Sequence, residues 1–347
     1  MDTCTALPPV QTQPDFMNLL KVLRREAPSR PTLFEFFLNG PLHEVLARGK
    51  KPASRRGIDL TVMEAFKNAG YDYVTYQVPG FVFKRGEVHS KSSISLNEGF
   101  VITDRASFEK YPWPNPDECD YAAIAELTEY LPKGMKVIVH GPGGVEENVI
   151  RLVGYENLCY MMADEPELVR DLFEAVGSRL ERYYRNAAPL ASVGACISND
   201  DWGFKTQTLL SVDQMREYLF PWHKRIVEAI HAGGKPAILH SCGYYEQVID
   251  AIVDELKYDA RHSYEDAILP VEESYERFHD RIAILGGIDV DYVCRMAPEA
   301  VYERSKAMLE RSASRGGYAL GTGNSVPHWV PHDHYFAMIR AVTDARR

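Results

Sequence analysis

The sequence predicts a single α/β domain folded as a (β/α)8 barrel, and two observations support that prediction. Short apolar runs typical of strands alternate along the 347 residues with longer amphipathic segments typical of helices. Eight such runs occur, which is the number of strands in a closed parallel barrel. They are residues 31–38, 71–78, 135–140, 191–198, 236–240, 257–262, 282–289 and 317–321. An open, doubly wound sheet is the competing interpretation.

The segments between these runs carry the start and stop signals of helices. In residues 211–233, Ser211 can serve as the N-cap, and the amphipathic pattern ends on glycine, as helix C-termini prefer. Residues 297–317 close on glycine in the same way, and residues 332–344 form the last predicted helix. Helices between successive strands imply parallel pairing, because each helix returns the chain to the start of the next strand.

Two segments of this single domain, residues 1–347, fall outside the repeating pattern. Residues 1–30 precede the first predicted strand and form an N-terminal extension. Residues 81–116 follow the second predicted strand; their alternation of apolar and polar residues predicts a β-hairpin, which runs into the proline-rich "YPWPNPDE". We interpret residues 81–116 as an insertion into the barrel.

Composition and charge exclude several classes of function. The formal net charge is −10 and the isoelectric point is near 5.6, whereas a nucleic-acid or anionic membrane surface needs clustered Lys and Arg. No apolar run approaches the roughly 18 residues of a membrane-spanning helix, and the first residues lack the pattern of a signal peptide. Six cysteines are spread widely without a CxxC pair, which predicts reduced thiols in the cytoplasm.

The polar residues at the carboxyl ends of the strands are the informative ones, because parallel barrels build their sites there. A polar residue at a strand end is often only solvated, but histidine, cysteine and aspartate converge on this rim. The predicted catalytic residues are His140, Asn199, Asp200 and Asp201, and the predicted cofactor-binding residues are Asn39, Gln77 and Tyr244.

His240 and Cys242 form the most specific pair on this rim. Residues i and i+2 of an extended chain point to the same side, so both side chains can face one ion. An imidazole nitrogen and a thiolate suit Zn²⁺, and a catalytic zinc usually takes three protein ligands and leaves one position open. A buried structural thiol beside a histidine that caps the next helix is the alternative interpretation.

The segment "NDDWG" places two carboxylates directly after the fourth predicted strand. Asp200 or Asp201 could act as a general base, orient a substrate or bind a cation, whereas either could instead cap a turn. We expect one of the two to be structural and the other functional.

Three blocks of sequence carry a resemblance to a known family. They are "GPGGVEENVIRLVGYENLCYMMADEPELVRDLFE", "NDDWGFKTQTLLSVDQMREYLFPWHKRIVEAIHAGGKPAILHSCG", and "ILGGIDV" followed by "GGYALGTGNSVP". From about residue 140 to the C-terminus the sequence resembles the uroporphyrinogen decarboxylase superfamily, and the middle block is the most specific. The resemblance implies a (β/α)8 barrel, in agreement with the strand count.

One branch of that superfamily decarboxylates the acetate arms of uroporphyrinogen without a cofactor. It holds the substrate carboxylates with an arginine-containing R-Q-A-G-R segment after the first strand. The corresponding region here, residues 33–45, reads "LFEFFLNGPLHEV" without an arginine, and the next arginine after it is Arg48. A substrate with many carboxylates needs such a clamp, so this branch is disfavoured.

The other branch comprises zinc-dependent methyltransferases that work with methylcobamide proteins. His240 and Cys242 match the H-x-C that these enzymes carry at a strand end, while Asn324 stands where they have a third ligand, a cysteine. The resemblance therefore leaves the third ligand open. The side chains that could complete the site are Asn324 itself, Asp201, His262 and Glu146.

The resemblance implies zinc-dependent methyl transfer in a corrinoid-dependent methyltransferase or demethylase system. A small methylated or methyl-accepting molecule would be the substrate, and a partner protein would carry the corrinoid. The alternatives are a metal-independent decarboxylase of uroporphyrinogen or a related acid, and a non-catalytic barrel that binds a corrinoid or another small ligand. The sequence is compatible with a homodimer and does not fix the oligomeric state.

Overall fold

A computed structural model describes residues 13–50, 59–87 and 95–347, and its central element is a curled sheet of seven parallel strands. The strands pair in chain order, each with the next. Doubly wound sheets instead reverse their strand order, so the competing interpretation was wrong. The strands are β1 (Tyr73–Gln77), β2 (Lys136–His140), β3 (Val193–Asn199), β4 (Ala237–His240), β5 (Ala260–His262), β6 (Ala283–Leu285) and β7 (Tyr318–Ala319).

The first predicted strand, residues 31–38, is the exception among the eight. It runs beside the end of β7, with isolated parallel bridges from Leu33 to Leu320 and from Leu38 to Val326. On its other side the hydroxyl of Tyr73 donates to the Glu35 carbonyl at 2.6 Å and accepts from the Glu35 N–H at 2.7 Å. A tyrosine side chain therefore takes the backbone groups that a ladder to β1 would need, and no regular strand forms.

Helices connect the strands, as the alternation of the sequence predicts. Ser211 caps its helix as expected, because its hydroxyl accepts from the N–H of Gln214, whose side chain bonds back to Ser211. The helices are α1 (Phe16–Leu23), α2 (Gly40–Leu46), α3 (Thr61–Ala69), α4 (Arg105–Lys110), α5 (Ala122–Tyr130), α6 (Val145–Val153), α7 (Tyr155–Asp164), α8 (Pro166–Ala187), α9 (Val212–Gln214), α10 (Phe220–Ala232), α11 (Val271–Phe278), α12 (Val290–Arg295), α13 (Pro298–Ser312) and α14 (His332–Ala345). A π-helical turn, Met215–Leu219, joins α9 to α10. None of the helices in the described ranges combines the length and apolarity needed to cross a membrane.

Helix α1 packs at the amino ends of the strands, opposite the rim that carries the candidate site. Phe16 is buried and its N–H donates to the Gly134 carbonyl, just before β2. The N–H of Asp15 donates to the carboxylate of Asp72, just before β1, which also binds Arg30 at 2.6 Å. The described part of the predicted extension, residues 13–30, is thus tied to the base of the sheet.

The predicted insertion, residues 81–116, follows β1, but no strand forms in its described parts, 81–87 and 95–116. A bond from the Gly86 N–H to the Gly99 carbonyl joins the two limbs, and residues 88–94 lie outside the described residues. Residues 105–110 form helix α4 instead, because Asp104 and Ser107 build a capping box at its start.

The contact between residues 31–38 and β7 requires a glycine at position 321. A Cβ there would overlap the carbonyl oxygen of Phe34, whereas a Cβ at Gly40 would meet nothing within 4 Å. We expect Gly321→Ala to lower the free energy of unfolding by about 2 kcal/mol or more and Gly40→Ala to change it by less than about 0.5 kcal/mol. Urea denaturation followed by circular dichroism measures both, and equal stability of the two variants would contradict the close packing.

Candidate metal centre

His240, Cys242 and Asp201 meet at the carboxyl ends of two neighbouring strands. The register of β3 with β4 places Asn199 opposite His240, so Asp201 and Cys242 both lie two residues beyond this pair. One nitrogen, one sulfur and one oxygen of the three side chains lie within 4.8 Å of one another. The Cys242 N–H donates to Asp201 Oδ1 at 3.1 Å. Nitrogen, sulfur and oxygen are donor atoms that zinc accepts, so the residues present fit this metal.

Hydrogen bonds fix which nitrogen of His240 is free to bind a metal. His262 Nε2 lies 3.3 Å from the Thr322 carbonyl, which can only accept, so this nitrogen carries the proton of the His262 ring. His262 Nδ1 is then an acceptor, and the contact of 2.7 Å shows that His240 Nδ1–H donates to it. His240 Nε2 is therefore unprotonated, and it lies 3.8 Å from Cys242 Sγ.

Both imidazoles are held neutral, as metal ligation requires. Burial, with smaller contributions from Arg261 and His140, lowers the pKa of His240 to about 3. Burial also lowers the pKa of His262, and His240 adds to that effect. Because both nitrogens of His262 are engaged, this residue supports His240 from behind and lies outside the cluster of possible ligands.

Cys242 is a thiol in the absence of a cation, because burial and the neighbouring carboxylate of Asp201 raise its pKa. Asn324 Nδ2 donates to Cys242 Sγ at 3.2 Å. A thiolate is the form that binds metal, so arrival of a cation would release the thiol proton. Asn324 thus contacts the site through its amide hydrogen.

The two adjacent aspartates have different environments. Asp200 is fully buried, and its carboxylate accepts from the N–H groups of Val145, Glu146 and Glu147 at 2.8–2.9 Å and from His223 Nε2 at 2.8 Å. The three backbone donors are the first N–H groups of α6, where a negative charge is favourable. Asp200 therefore holds the start of α6, whereas Asp201 is partly exposed and faces His240 and Cys242.

His140 and Asn199 lie at the same rim but outside the cluster. His140 ends β2, its Nδ1 lies 3.0 Å from the Gly141 carbonyl, and burial lowers its pKa. The Phe36 ring packs between His140 and His240, at 5.0 and 4.8 Å from their ring centres. Asn199 Nδ2 donates to Glu147 at 3.2 Å, and its buried Oδ1 has no partner in the described part of the chain.

The remaining predicted site residues do not reach the three-residue cluster. Asn39 caps α2 and donates to the Val326 and Pro327 carbonyls, and Gln77 Nε2 donates to the Phe81 carbonyl at 3.4 Å. Tyr244 bonds Glu246 at 3.3 Å. Glu146 is fully buried, and neither carboxyl oxygen has a partner among the described residues.

Glu35 is a polar residue near the site that is missing from the predicted set. Its carboxyl accepts from the Thr322 N–H at 2.6 Å and contacts the Thr322 hydroxyl at 2.8 Å. Burial raises its pKa to about 8, and the hydrogen bonds with Thr322 offset only part of that effect. The signal in the sequence was an acid inside an apolar run, "LFEFF".

A cavity of about 820 Å³ is lined by Asn324, whose amide donates to Cys242, whereas His240, Cys242 and Asp201 are not among its lining residues. Phe37, Tyr292 and Trp329 give the cavity aromatic walls. Lys205 also lines it, 3.7 Å from Glu265. The cavity is of a size that accepts a small molecule.

Changing each of the two aspartates to asparagine should lower the stability of the protein by different amounts. Asp200→Asn removes a buried charge and turns an amide N–H₂ toward N–H donors, so we expect a loss of about 3 kcal/mol or more in the free energy of unfolding. Asp201→Asn, at a partly exposed residue, should cost less than about 1 kcal/mol. Urea denaturation measures both; a stable Asp200→Asn protein would show that the helix does not need this carboxylate.

Glu35 should make stability fall as the pH rises. The folded protein keeps the Glu35 proton up to about pH 8, whereas the unfolded chain releases it near the ordinary value of 4.5. Stability is therefore lost across this window at up to about 1.4 kcal/mol per pH unit. Glu35→Gln should remove that slope and the exposed control Glu299→Gln should not. Urea denaturation at pH 5.5, 7 and 8.5 checks this, and identical slopes for wild type and Glu35→Gln would contradict it.

Comparisons with known proteins agree with this architecture. Residues 98–345 match the family described as uroporphyrinogen decarboxylase (URO-D). A methylated-thiol–coenzyme M methyltransferase from Methanosarcina mazei is 24% identical over 195 residues, 55% of this chain and 48% of that protein. A uroporphyrinogen decarboxylase from Methylococcus capsulatus is 26% identical over 188 residues, 52% of this chain and 50% of that protein.

The chain spans about half the length of these curated relatives, which are enzymes of two kinds. Among solved structures, a methyltransferase from Methanosarcina mazei superposes with a TM-score of 0.70 at 13% identity and covers 95% of this chain and 98% of that one. At this identity the superposition shows a shared fold. Because the family match covers well over half of the chain, the protein belongs to the uroporphyrinogen decarboxylase (URO-D) family, as its sequence blocks predict.

Proposed function

We propose that this protein is a zinc-dependent methyltransferase of a corrinoid-dependent system, with zinc held by His240, Cys242 and Asp201. The observation that carries the proposal is the convergence of these three side chains, with the His240 Nε2 lone pair turned toward Cys242. Three protein ligands with one open position are typical of catalytic zinc. Asp201 would supply the third ligand that the sequence left open.

When bound, zinc would supply Lewis acidity that draws charge from the oxygen or nitrogen of a methylated substrate. A carboxylate from Asp201 donates less charge than a second thiolate would, which favours this role over activation of a thiol. Cys242 would bind as the thiolate, and Asn324 would donate to its sulfur. His240 would use Nε2, because His262 engages its other nitrogen.

The cavity beside Asn324 would receive the substrate, and its mouth would receive the corrinoid of a partner protein. Phe37 and Trp329 line this cavity and are 49% and 64% exposed. Exposed aromatic rings at the mouth of a polar site suit the face of a large macrocycle. We take residues 31–38 as the eighth segment, which closes the sheet into a barrel around this site.

Metal content is the direct measure of the proposed centre. Protein purified without chelator should contain about one zinc per chain, and His240→Ala, Cys242→Ala and Asp201→Ala should each lower that content at least tenfold under dialysis. Cys159→Ala, which removes an exposed thiol on α7, is the matched control and should keep its zinc. Zinc far below one per chain in the wild type would refute the mechanism, and full zinc in Cys242→Ala would refute the ligands.

The reaction itself can be followed with free cobalamin. Zinc-loaded protein should transfer methyl groups to cob(I)alamin from aryl methyl ethers or methylated amines, seen as a change in cobalamin absorbance. Cys242→Ala should reduce this rate at least a hundredfold and Cys159→Ala should not. Release of CO₂ from uroporphyrinogen without any methyl transfer would instead identify a decarboxylase.

A further inference from the structure

Thr322, on the segment that follows β7, contacts two residues that hydrogen-bond to the candidate metal centre, His262 and Asn324. Its carbonyl accepts from His262 Nε2 at 3.3 Å, and His262 in turn accepts from His240. Its hydroxyl contacts the backbone carbonyl of Asn324, whose side chain donates to Cys242. One residue that touches no proposed ligand is therefore connected by hydrogen bonds to two of them.

The orientation of the Asn324 amide is determined by its neighbour. Asn324 Oδ1 accepts from the Ser325 N–H at 2.7 Å, so the oxygen is occupied and the N–H₂ group points the other way. Nδ2 then lies 3.2 Å from Cys242 Sγ. A flipped amide would set its oxygen against the sulfur and its N–H₂ against the Ser325 N–H. Asn324 is thus a hydrogen-bond donor to the sulfur and not a metal ligand.

The hydroxyl of Thr322 has one proton and two oxygen neighbours. The Asn324 carbonyl can only accept, so the hydroxyl donates to it. The contact of 2.8 Å with Glu35 Oε2 then requires a proton on the Glu35 carboxyl, which donates to Thr322 Oγ1. Glu35 Oε1 accepts from the Thr322 N–H at 2.6 Å, so two hydrogen bonds join the carboxyl to Thr322.

We propose that Thr322 is the positioning residue of the metal centre. It is held by two hydrogen bonds with the Glu35 carboxyl. It acts on His240 through His262 and on Cys242 through Asn324. This inference rests on the proposed function and adds residues that touch neither metal nor substrate. It predicts that loss of one hydroxyl changes the sulfur ligand although no ligand is mutated. Supporting groups of this kind commonly alter metal affinity by 10–100-fold.

The test uses Co²⁺ as the probe, because thiolate-bound Co²⁺ gives a charge-transfer band in the near ultraviolet. Thr322→Val removes the hydroxyl and keeps the shape and the carbonyl, and should weaken Co²⁺ affinity about tenfold or more and shift or weaken the band. Thr322→Ser keeps the hydroxyl, and Glu35→Gln keeps a neutral side chain that can donate to Thr322 Oγ1. The Co²⁺ affinity of both variants should therefore stay within about threefold of the wild-type value. Asn324→Ala should change the band in the same way as Thr322→Val.

The outcomes separate this inference from the function on which it rests. Wild-type protein that binds Co²⁺ while Thr322→Val and Asn324→Ala bind equally tightly, with an unchanged band, would overturn the positioning role alone. Equal losses in Thr322→Ser and Thr322→Val would also overturn it, because the hydroxyl would then be irrelevant. Wild-type protein that takes up no Co²⁺ would overturn both proposals. If Thr322→Val does not fold, Asn324→Ala, at a partly exposed residue, tests the connection through Asn324 to Cys242.

Discussion

The pairing of β3 with β4 determines where the donors of the candidate centre can lie. Asn199 is opposite His240 in this register, so the chain leaves both strands at the same height. Asp201 and Cys242 then emerge side by side, and the bond from the Cys242 N–H to Asp201 fixes their separation. A shift of one residue would turn every side chain on a strand to the other face. The carboxyl ends of two strands thus assemble a nitrogen, a sulfur and an oxygen without any long loop.

Apart from the Asp201 carboxylate, burial keeps the side chains of this assembly neutral before a cation binds. His240 and His262 are uncharged, Cys242 is a thiol, and the Glu35 carboxyl behind them holds its proton. Each would be costly to ionise alone in a site with little water. A divalent cation changes that balance, because it compensates the charge of the thiolate that it creates. The hydrogen bond from His240 to His262 leaves the His240 Nε2 lone pair facing Cys242, where the proposed cation would bind.

The sequence predicted those features that depend on neighbouring residues. His240 and Cys242 could be paired because alternation along a strand is a local rule, and seven of the eight predicted strands formed. The different roles of Asp200 and Asp201 could not be predicted in the same way, because they depend on the start of α6 lying next to the end of β3. Residues 31–38 look like a strand by composition, but the Tyr73 hydroxyl, a partner distant in sequence, takes the backbone of Glu35.

The position of Asn324 bears on which side chains would complete the proposed metal centre. Cys242 Sγ is approached from the β3 side by Asp201 and from the β7 side by Asn324. In the proposed centre, a cysteine on the β7 side would make Asp201 unnecessary as a ligand, whereas an amide that donates to the sulfur would leave the third position to a carboxylate on the β3 side. The amide also withdraws charge from the sulfur. In the proposed centre, an amide at position 324 and a carboxylate at position 201 would give a harder, more electrophilic ligand set, which would suit polarising an oxygen or nitrogen more than activating a thiol.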